Sequence, residues 1–324
     1  MIHNLMKKPK AFITGIAGFA GTYLAENLAH SGYRVSGSVY KNENKDNLKR
    51  VKTIAETVRL DITNSKEVAE IIKAEKPDYI FHLAAFSMVG LSFDNEQLVH
   101  NVNFNGTLNM LTAARKLKNL KRFLFVSSSE CYGRFPRSAL PLTETIPLNP
   151  ISPYAISKAA AEFTCQLHFE RYGLPVSIAR AFNHSGPGQN PYLVLPHFAR
   201  QIALIEKGKA KPELVIGNPK VKRDIADVRD IARGYQLIAE KASPGRVYQL
   251  CSGKAVSIKT LVETFLKFTD SKVKIKVDPN LARKNDIPEV RGSIGRIKRE
   301  LGYKVNYNLN QTIKDTLDYF RACV

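Results

Sequence analysis

Three glycines spaced through one turn constrain this chain more than any other feature. An apolar run, Ala11-Phe12-Ile13, leads into Thr14-Gly15-Ile16-Ala17-Gly18-Phe19-Ala20-Gly21, and residues 22–29 continue with helical periodicity. A strand that enters a helix this way uses the first glycine for the tight turn, the second to let backbone approach a pyrophosphate, and the third to let the helix pack on the strand. The helix start then offers free amides to an anion. The alternation continues downstream. Residues 35–40, 57–60, 77–85, 121–126 and 175–180 read as strands, and amphipathic stretches such as 95–118 and 153–172 are long enough for crossover helices. Apolar strands separated by helices make a parallel sheet covered on both faces.

The expected fold is therefore α/β, a Rossmann-type doubly wound parallel sheet, and a chain of 324 residues has enough left over for a smaller mixed α/β lobe in its C-terminal half. Ligands of such sheets bind beyond the carboxyl ends of the strands, where Gly15, Asp61, Ala84 and Ser128 fall. The dinucleotide itself can be narrowed at the end of the second strand. An NAD site offers a carboxylate about twenty residues past the glycines. Here the sequence is Ser38-Val39-Tyr40-Lys41-Asn42, with its first acid at Glu43, so a lysine stands where a 2'-phosphate would lie. NADP(H) is the preferred cofactor and NAD(H) the second choice.

Composition removes other classes. No apolar run approaches the roughly twenty residues that span a bilayer. The basic first ten residues lack an apolar signal core, so the expected compartment is the cytoplasm, with Cys131, Cys165, Cys251 and Cys323 reduced. Neither the cysteines nor the seven histidines have metal-ligand spacing, and no metal is expected. The 49 basic residues against 29 acidic ones permit nucleic-acid binding, but they are spread along the chain and accompany no nucleic-acid motif, which disfavours that reading.

The chemistry is carried by Tyr154 and Lys158 in Pro153-Tyr154-Ala155-Ile156-Ser157-Lys158. Four residues are about one helical turn, which puts both side chains on one face. An ammonium beside a phenol favours phenolate and is expected to draw the tyrosine pKa toward neutrality, where acid/base catalysis works best. Upstream, Val126-Ser127-Ser128-Ser129-Glu130-Cys131-Tyr132-Gly133 places hydroxyls where the fifth strand ends. A hydroxyl there can hydrogen-bond a substrate oxygen held near Tyr154.

Taken together, the glycine turn, Leu83-Ala84-Ala85, Ser-Ser-Glu-Cys-Tyr-Gly and Tyr-x-x-x-Lys resemble the extended short-chain dehydrogenase/reductase superfamily, in its NAD-dependent epimerase/dehydratase family, over nearly the whole chain. The C-terminal half narrows the branch. Asn183-His184-Ser185-Gly186-Pro187-Gly188-Gln189, Phe198-Ala199-Arg200-Gln201-Ile202, Gly217-Asn218, Arg223 to Asp230, Val247 to Gly253 and Arg291-Gly292-Ser293 resemble the reductases acting on GDP-4-keto-6-deoxy-D-mannose. The resemblance implies a dinucleotide-binding domain of 1–182 plus about 228–252 and a nucleotide-sugar lobe of about 183–227 and 253–324. It makes Ser128, Tyr154 and Lys158 catalytic. Cofactor contacts are implied at Gly15, Ala17, Gly18, Phe19, Ala20, Gly21, Tyr40, Lys41, Ile62, Leu83, Ala84 and Ala85, with Lys158 and Tyr154 at the nicotinamide end. Asp61 is implied to meet the adenine edge; the alternative is the cap of a helix starting near Asn64. Substrate contacts are implied at Ser87, Ser128, Asn183, Arg200 and Arg223, with Arg223 and Arg283 on the diphosphate and Asp286 on a ribose or sugar hydroxyl. Planar guanidinium groups suit phosphate.

Two features depart from the pattern. Glu130 occupies the position where related dehydratases keep a proton-moving glutamate, which is also compatible with reductases. Lys284 stands where these enzymes commonly have proline, next to Arg283 and Asp286. The implied activity is reduction of the C4 ketone of a GDP-linked 6-deoxy-4-keto-hexose to GDP-D-rhamnose. GDP-mannose 4,6-dehydratase or another nucleotide-sugar 4,6-dehydratase or C4-epimerase is the alternative, and a non-enzymatic nucleotide sensor or nucleic-acid binder the remote one. A homodimer is the expected assembly.

Overall fold

The computed structural model describes residues 8–41, 44–281 and 287–324. Its first half alternates strand and helix: β1 (Lys10–Thr14), α1 (Phe19–His30), β2 (Arg34–Val39), α2 (Lys45–Lys52), β3 (Glu56–Arg59), α3 (Ser65–Glu75), β4 (Tyr79–His82), α4 (Glu96–His100), α5 (Gly106–Ala114), β5 (Arg122–Ser128), α6 (Pro153–Tyr172) and β6 (Val176–Ala181). The second half contains β7 (Asn183–Ser185), α7 (Val194–Glu206), β8 (Glu213–Ile216), β9 (Lys222–Asp227), α8 (Val228–Lys241), β10 (Val247–Leu250), β11 (Ala255–Ser257), α9 (Ile258–Leu266), β12 (Lys274–Val277), β13 (Glu289–Val290), α10 (Gly295–Leu301) and α11 (Leu309–Cys323).

The main sheet has seven strands in the order β10-β6-β5-β4-β1-β2-β3. The order reverses beside β1, whose partners β2 and β4 both run parallel to it. That reversal opens the crevice in which open α/β sheets hold ligands. The chain separates into two compact units, one taking in residues up to Gly133 with Pro147–Arg180 and Ala232–Tyr248, the other Arg134–Ile146, Ala181–Ile231 and Gln249–Val324. The first has a core in which Phe12, Ile80, Phe123, Phe125 and Ile178 of the sheet meet Met110, Leu111 and Ala161 of the helices. The core of the second joins Phe198 and Ile202 of α7, Leu214 and Ile216 of β8, Phe265 of α9 and Leu317 of α11.

Local sequence explains the helix that matters most. Ser152 caps α6 by accepting from the Ala155 amide, Pro153 takes the first turn, and Gly173 ends the helix in a left-handed conformation. The stretch 95–118 behaves differently from its expected continuous helix. It is α-helical over Glu96–His100, widens into a π turn over Asn101–Asn105, resumes at Gly106 and stops at Ala114. The turn carries Asn103, whose side chain bonds both the amide and the carbonyl of Phe86, at 2.7 and 3.1 Å.

Candidate active site

The glycine turn after β1 is built to approach something closely. Gly15 has φ of +69°, a region that favours glycine, and a Cβ on it would lie 3.2 Å from the Ala84 backbone. A Cβ on Gly21 would fall 2.3 Å from the Gly15 carbonyl oxygen, so α1 can sit this near β1 only with glycine there. Gly18 is the N-cap of α1, which has no side-chain cap and no acid in its first turn. A helix start without a side-chain cap or an acidic residue suits an anion, and the turn fits a dinucleotide pyrophosphate.

Polar contacts carry this geometry across the sheet. Thr14 Oγ1 accepts from the amides of Leu83 and Ala84 at 3.1 and 3.0 Å and meets His82 Nδ1 at 2.8 Å. His82 Nε2 in turn meets Thr107 Oγ1 at 3.0 Å. Burial first, and then the Lys158 charge, hold the His82 pKa down at about 3, so it stays neutral. Asn103 extends the chain of contacts by donating to Ser157 Oγ at 2.9 Å, and Ser157 donates to the Tyr154 carbonyl at 2.7 Å. The glycine turn and α6 are thereby fixed to the same loop, residues 83–86.

Ser128, Tyr154 and Lys158 come together at the end of β5. The Ser128 hydroxyl hydrogen-bonds the Tyr154 phenol, and its oxygen accepts from the Glu130 amide at 3.1 Å. Lys158 Nζ donates to the Val126 carbonyl at 2.7 Å and lies 4.8 Å from the centre of the Phe125 ring. All three residues are buried. The expectation that Lys158 brings the phenol toward neutrality is not met in this arrangement. Burial dominates and pushes the Tyr154 pKa above its ordinary range, Ser128 pulls it back, and nearby Cys131 and Glu130 add to the rise. Burial acts on the ammonium as well, lowering Lys158 to about 8 against the opposing influence of Cys131, Cys165 and Glu162. The ammonium donates to a backbone carbonyl, and burial governs the phenol.

The other expected positions fall as follows. Tyr40 and Lys41 are exposed just beyond β2, and both act on Asp61. Burial disfavours the Asp61 charge, yet hydrogen bonds from the Thr63 hydroxyl and amide, then Tyr40 and the Lys41 charge, leave its pKa below the usual value. Asp61 does not cap α3. That role belongs to Asn64, which accepts from the amides of Lys66 and Glu67, while Asp61 closes a two-residue turn onto Thr63. Ile62 is buried, and its carbonyl accepts from Asn109 Nδ2 at 3.0 Å. Ala17 is buried and Phe19 and Ala20 partly so, at the start of α1. Ala85 is partly buried in the loop after β4, and Ser87 is exposed there.

In the second unit Asn183 is exposed at the start of β7, and the loop after it is closed by Gln189, which accepts from Ser185 and donates to the His184 carbonyl. Arg200 is exposed on α7. Arg223 on β9 donates to the carbonyls of Lys222 and Ile287, at 2.9 and 2.8 Å. Arg283 and Asp286, like Asn42 and Glu43, lie outside the described residues. Among the described residues no cluster of ligands could hold a metal ion, and no helix is long and apolar enough to cross a membrane.

Comparison with known proteins resolves the family. The GDP-mannose 4,6 dehydratase model matches residues 12–316. The chain belongs to the GDP-mannose 4,6 dehydratase family. It is an enzyme of the short-chain dehydrogenase/reductase type, and its relatives act on both sides of the reductase and dehydratase divide. GDP-6-deoxy-D-mannose reductase of Pseudomonas aeruginosa is 31% identical over 317 residues, covering 97% of this chain and 98% of that protein. GDP-mannose 4,6-dehydratase of Sinorhizobium fredii is 29% identical, over 96% and 97% of the two chains. Among solved structures, RMD from Pseudomonas aeruginosa complexed with NADPH superposes with a TM-score of 0.86 at 30% identity, over 98% of this chain and all of that one.

Pattern reading gave no supporting role to Asn103, Ser127, Glu162 and Arg180, which pair with one another or with residues next to Ser128, Tyr154 and Lys158. The available signal was faint: each is a polar residue placed where a helix or strand is otherwise buried.

Proposed function

We propose that this enzyme reduces the C4 ketone of GDP-4-keto-6-deoxy-D-mannose to GDP-D-rhamnose, with NADPH preferred and NADH as the second choice. The observation that carries the reading is the Ser128–Tyr154 hydrogen bond beside Lys158, on a fold whose glycine turn fits a dinucleotide. A relative bearing the reductase name and a neighbouring structure complexed with NADPH support it.

Gly15, Gly18 and Gly21 would hold the pyrophosphate, Tyr40 and Lys41 the 2'-phosphate, and Asp61 and Ile62 the adenine end. When bound, the dinucleotide supplies the hydride. Ser128 orients the ketone oxygen by donating a hydrogen bond to it. Tyr154 gives that oxygen its proton, and its high intrinsic pKa keeps the proton available until negative charge develops on the substrate. Lys158 holds positive charge next to the phenolate left behind. Asn183, Arg200, Arg223, Arg283 and Asp286 are the residues of the second unit proposed to hold the GDP-sugar.

One observation favours dehydration as the second reading. Glu130 sits close enough to Tyr154 for its charge to act on the phenol, as a proton-moving glutamate at C5 would. The deciding assay supplies GDP-4-keto-6-deoxy-D-mannose with NADPH, follows NADPH absorbance and identifies the sugar formed. Stoichiometric oxidation with GDP-D-rhamnose as product supports reduction. Conversion of GDP-mannose without net cofactor consumption supports dehydration instead.

A homodimer in a reducing cytoplasm fits the same reading. Leu98 on α4 and Ile156, Phe163 and Leu167 on the adjacent α6 are exposed, with Phe163 at 65%, a stripe that a second copy would bury. The four cysteines are all free, as that compartment favours. Light scattering on the purified protein reads the mass directly; a monomer at micromolar concentration would remove the dimer.

A further inference from the structure

An ion pair that the reduction itself does not use lies behind the catalytic residues. Tyr154, Lys158 and Glu162 follow one another by one turn along α6, and each engages one of the last three residues of β5. Tyr154 meets Ser128, Lys158 meets the Val126 carbonyl, and Glu162 accepts a hydrogen bond from the Ser127 hydroxyl. Arg180, on β6 next to β5, grips the same carboxylate through Nε at 3.1 and 3.0 Å and through Nη2 at 2.8 Å. Its Nη1 donates to the Tyr132 hydroxyl at 3.1 Å, in the turn that carries Glu130. The two charged side chains are 8% and 3% exposed. Stability explains such a pair poorly, because its desolvation offsets much of its attraction and apolar replacements are often as stable.

We propose that Glu162 is a positioning residue: held by Arg180, it fixes the Ser127 hydroxyl and so sets the end of β5 against α6, with Ser128 opposite Tyr154 and the Val126 carbonyl opposite Lys158. The inference rests on the reading of Ser128, Tyr154 and Lys158 given above. Ser127 is the link through which the pair acts. Its neighbours in sequence are the two residues that touch the catalytic side chains, so a shift at Ser127 is passed to both. A misplacement of about 1 Å can lower turnover about a hundredfold. Glu162 acts on charge as well as on place. The titratable groups facing Lys158 are Cys131 after β5, Cys165 and Glu162 on α6, and His82 on β4, and Glu162 is the one carboxylate among them.

The test compares Ser127→Ala, which removes the link and leaves the ion pair, with Glu162→Gln, which removes the charge. Both variants are measured for kcat and KM, for NADPH affinity, for the pH dependence of kcat, and for alkylation of Cys131 in the cofactor-free protein. Cys131 is buried, touches Ser127 Oγ at 3.6 Å and donates to the Ala155 carbonyl at 3.6 Å, so its protection reports on the closure of β5 onto α6. The expected result is a fall in kcat of about tenfold or more with KM and NADPH affinity kept, faster Cys131 alkylation in both variants, and an alkaline limb moved to lower pH in Glu162→Gln alone. Wild-type kcat with Cys131 still protected would overturn the proposal, as would a loss that merely tracks the folded fraction. If Glu162→Gln fails to fold, Ser127→Ala decides by the same readouts. If the wild-type protein turns over neither the 4-keto sugar nor GDP-mannose, the functional reading has failed, and Cys131 alkylation still decides the positioning role.

Discussion

The end of β5 and the start of β7 solve different problems. At β5 the polar groups are buried and already partnered: Ser128 with Tyr154, Lys158 with Val126, Ser127 with Glu162 and Glu162 with Arg180. At β7 and α7 the expected substrate residues Asn183 and Arg200 are exposed. A proton donor has to stand in one place before the substrate arrives, since orientation is much of what the site supplies. Residues that grasp a large, charged nucleotide can be ordered by the ligand itself. The first region is therefore expected to trade stability for function, and the second to trade almost none.

The largest effect expected at the buried region is on turnover. Tyr154→Phe should lower kcat by about a hundredfold to ten-thousandfold while leaving NADPH affinity nearly intact, read by steady-state kinetics and cofactor titration. Equal activity in that variant removes Tyr154 from the mechanism.

Lys158→Met sharpens the contrast, because activity and stability should move in opposite directions. The folded pKa of Lys158, about 8, lies below its ordinary 10.5, so the fold disfavours the charged form. Below pH 8 both states carry the proton and the burial penalty is complete, about 3 kcal/mol. It fades as pH rises from 8 to 10.5, where only the unfolded chain still binds the proton. Methionine should therefore raise Tm at neutral pH, with the gain shrinking at alkaline pH, while kcat is lost. A lower Tm would show that the Val126 contact outweighs desolvation.

Gly21→Ala tests the cradle. Its Cβ would meet the Gly15 carbonyl oxygen, a backbone atom that cannot swing away, at 2.3 Å. Overpacking of this kind costs about 1–3 kcal/mol, and NADPH affinity should fall with it. Urea unfolding and cofactor titration read the two effects separately.

The smallest structural effect is expected at the exposed region. Arg200→Ala should leave stability within about 0.5 kcal/mol of wild type and raise KM for the GDP-sugar more than it lowers kcat. A large drop in stability would erase the distinction between the two regions.

Much of this was legible along the chain because the signals are local. The strand–glycine–helix opening, and a helix bounded by Ser152 and Gly173, depend on neighbours within a few residues, and α6 covers the whole of 153–172. The one-turn spacing of Tyr154 and Lys158 is equally local. The stretch 95–118 was misleading because its apolar periodicity contains no sign of the π turn at Asn101–Asn105; what the turn serves is the Phe86 backbone, 17 residues before Asn103. The alternative reading of Asp61 as a cap fails in a milder way, since an Asp and an Asn three residues apart are both good caps and only the backbone path shows that Asn64 takes the role.

The sequence by itself determined the sheet, the dinucleotide turn and the one-turn spacing of Tyr154 and Lys158, because periodicity, turn chemistry and spacing act over short range; Ser128 was singled out by resemblance. Only the tertiary structure decided the electrostatics and the support. Whether Lys158 or burial governs the Tyr154 pKa depends on where the ammonium points and on how much water is excluded. That Glu162 meets Ser127 across 35 residues and Arg180 across 18 depends on how α6 and β6 lie against β5. Desolvation and long-range pairing belong to the packed fold, and no local pattern encodes them.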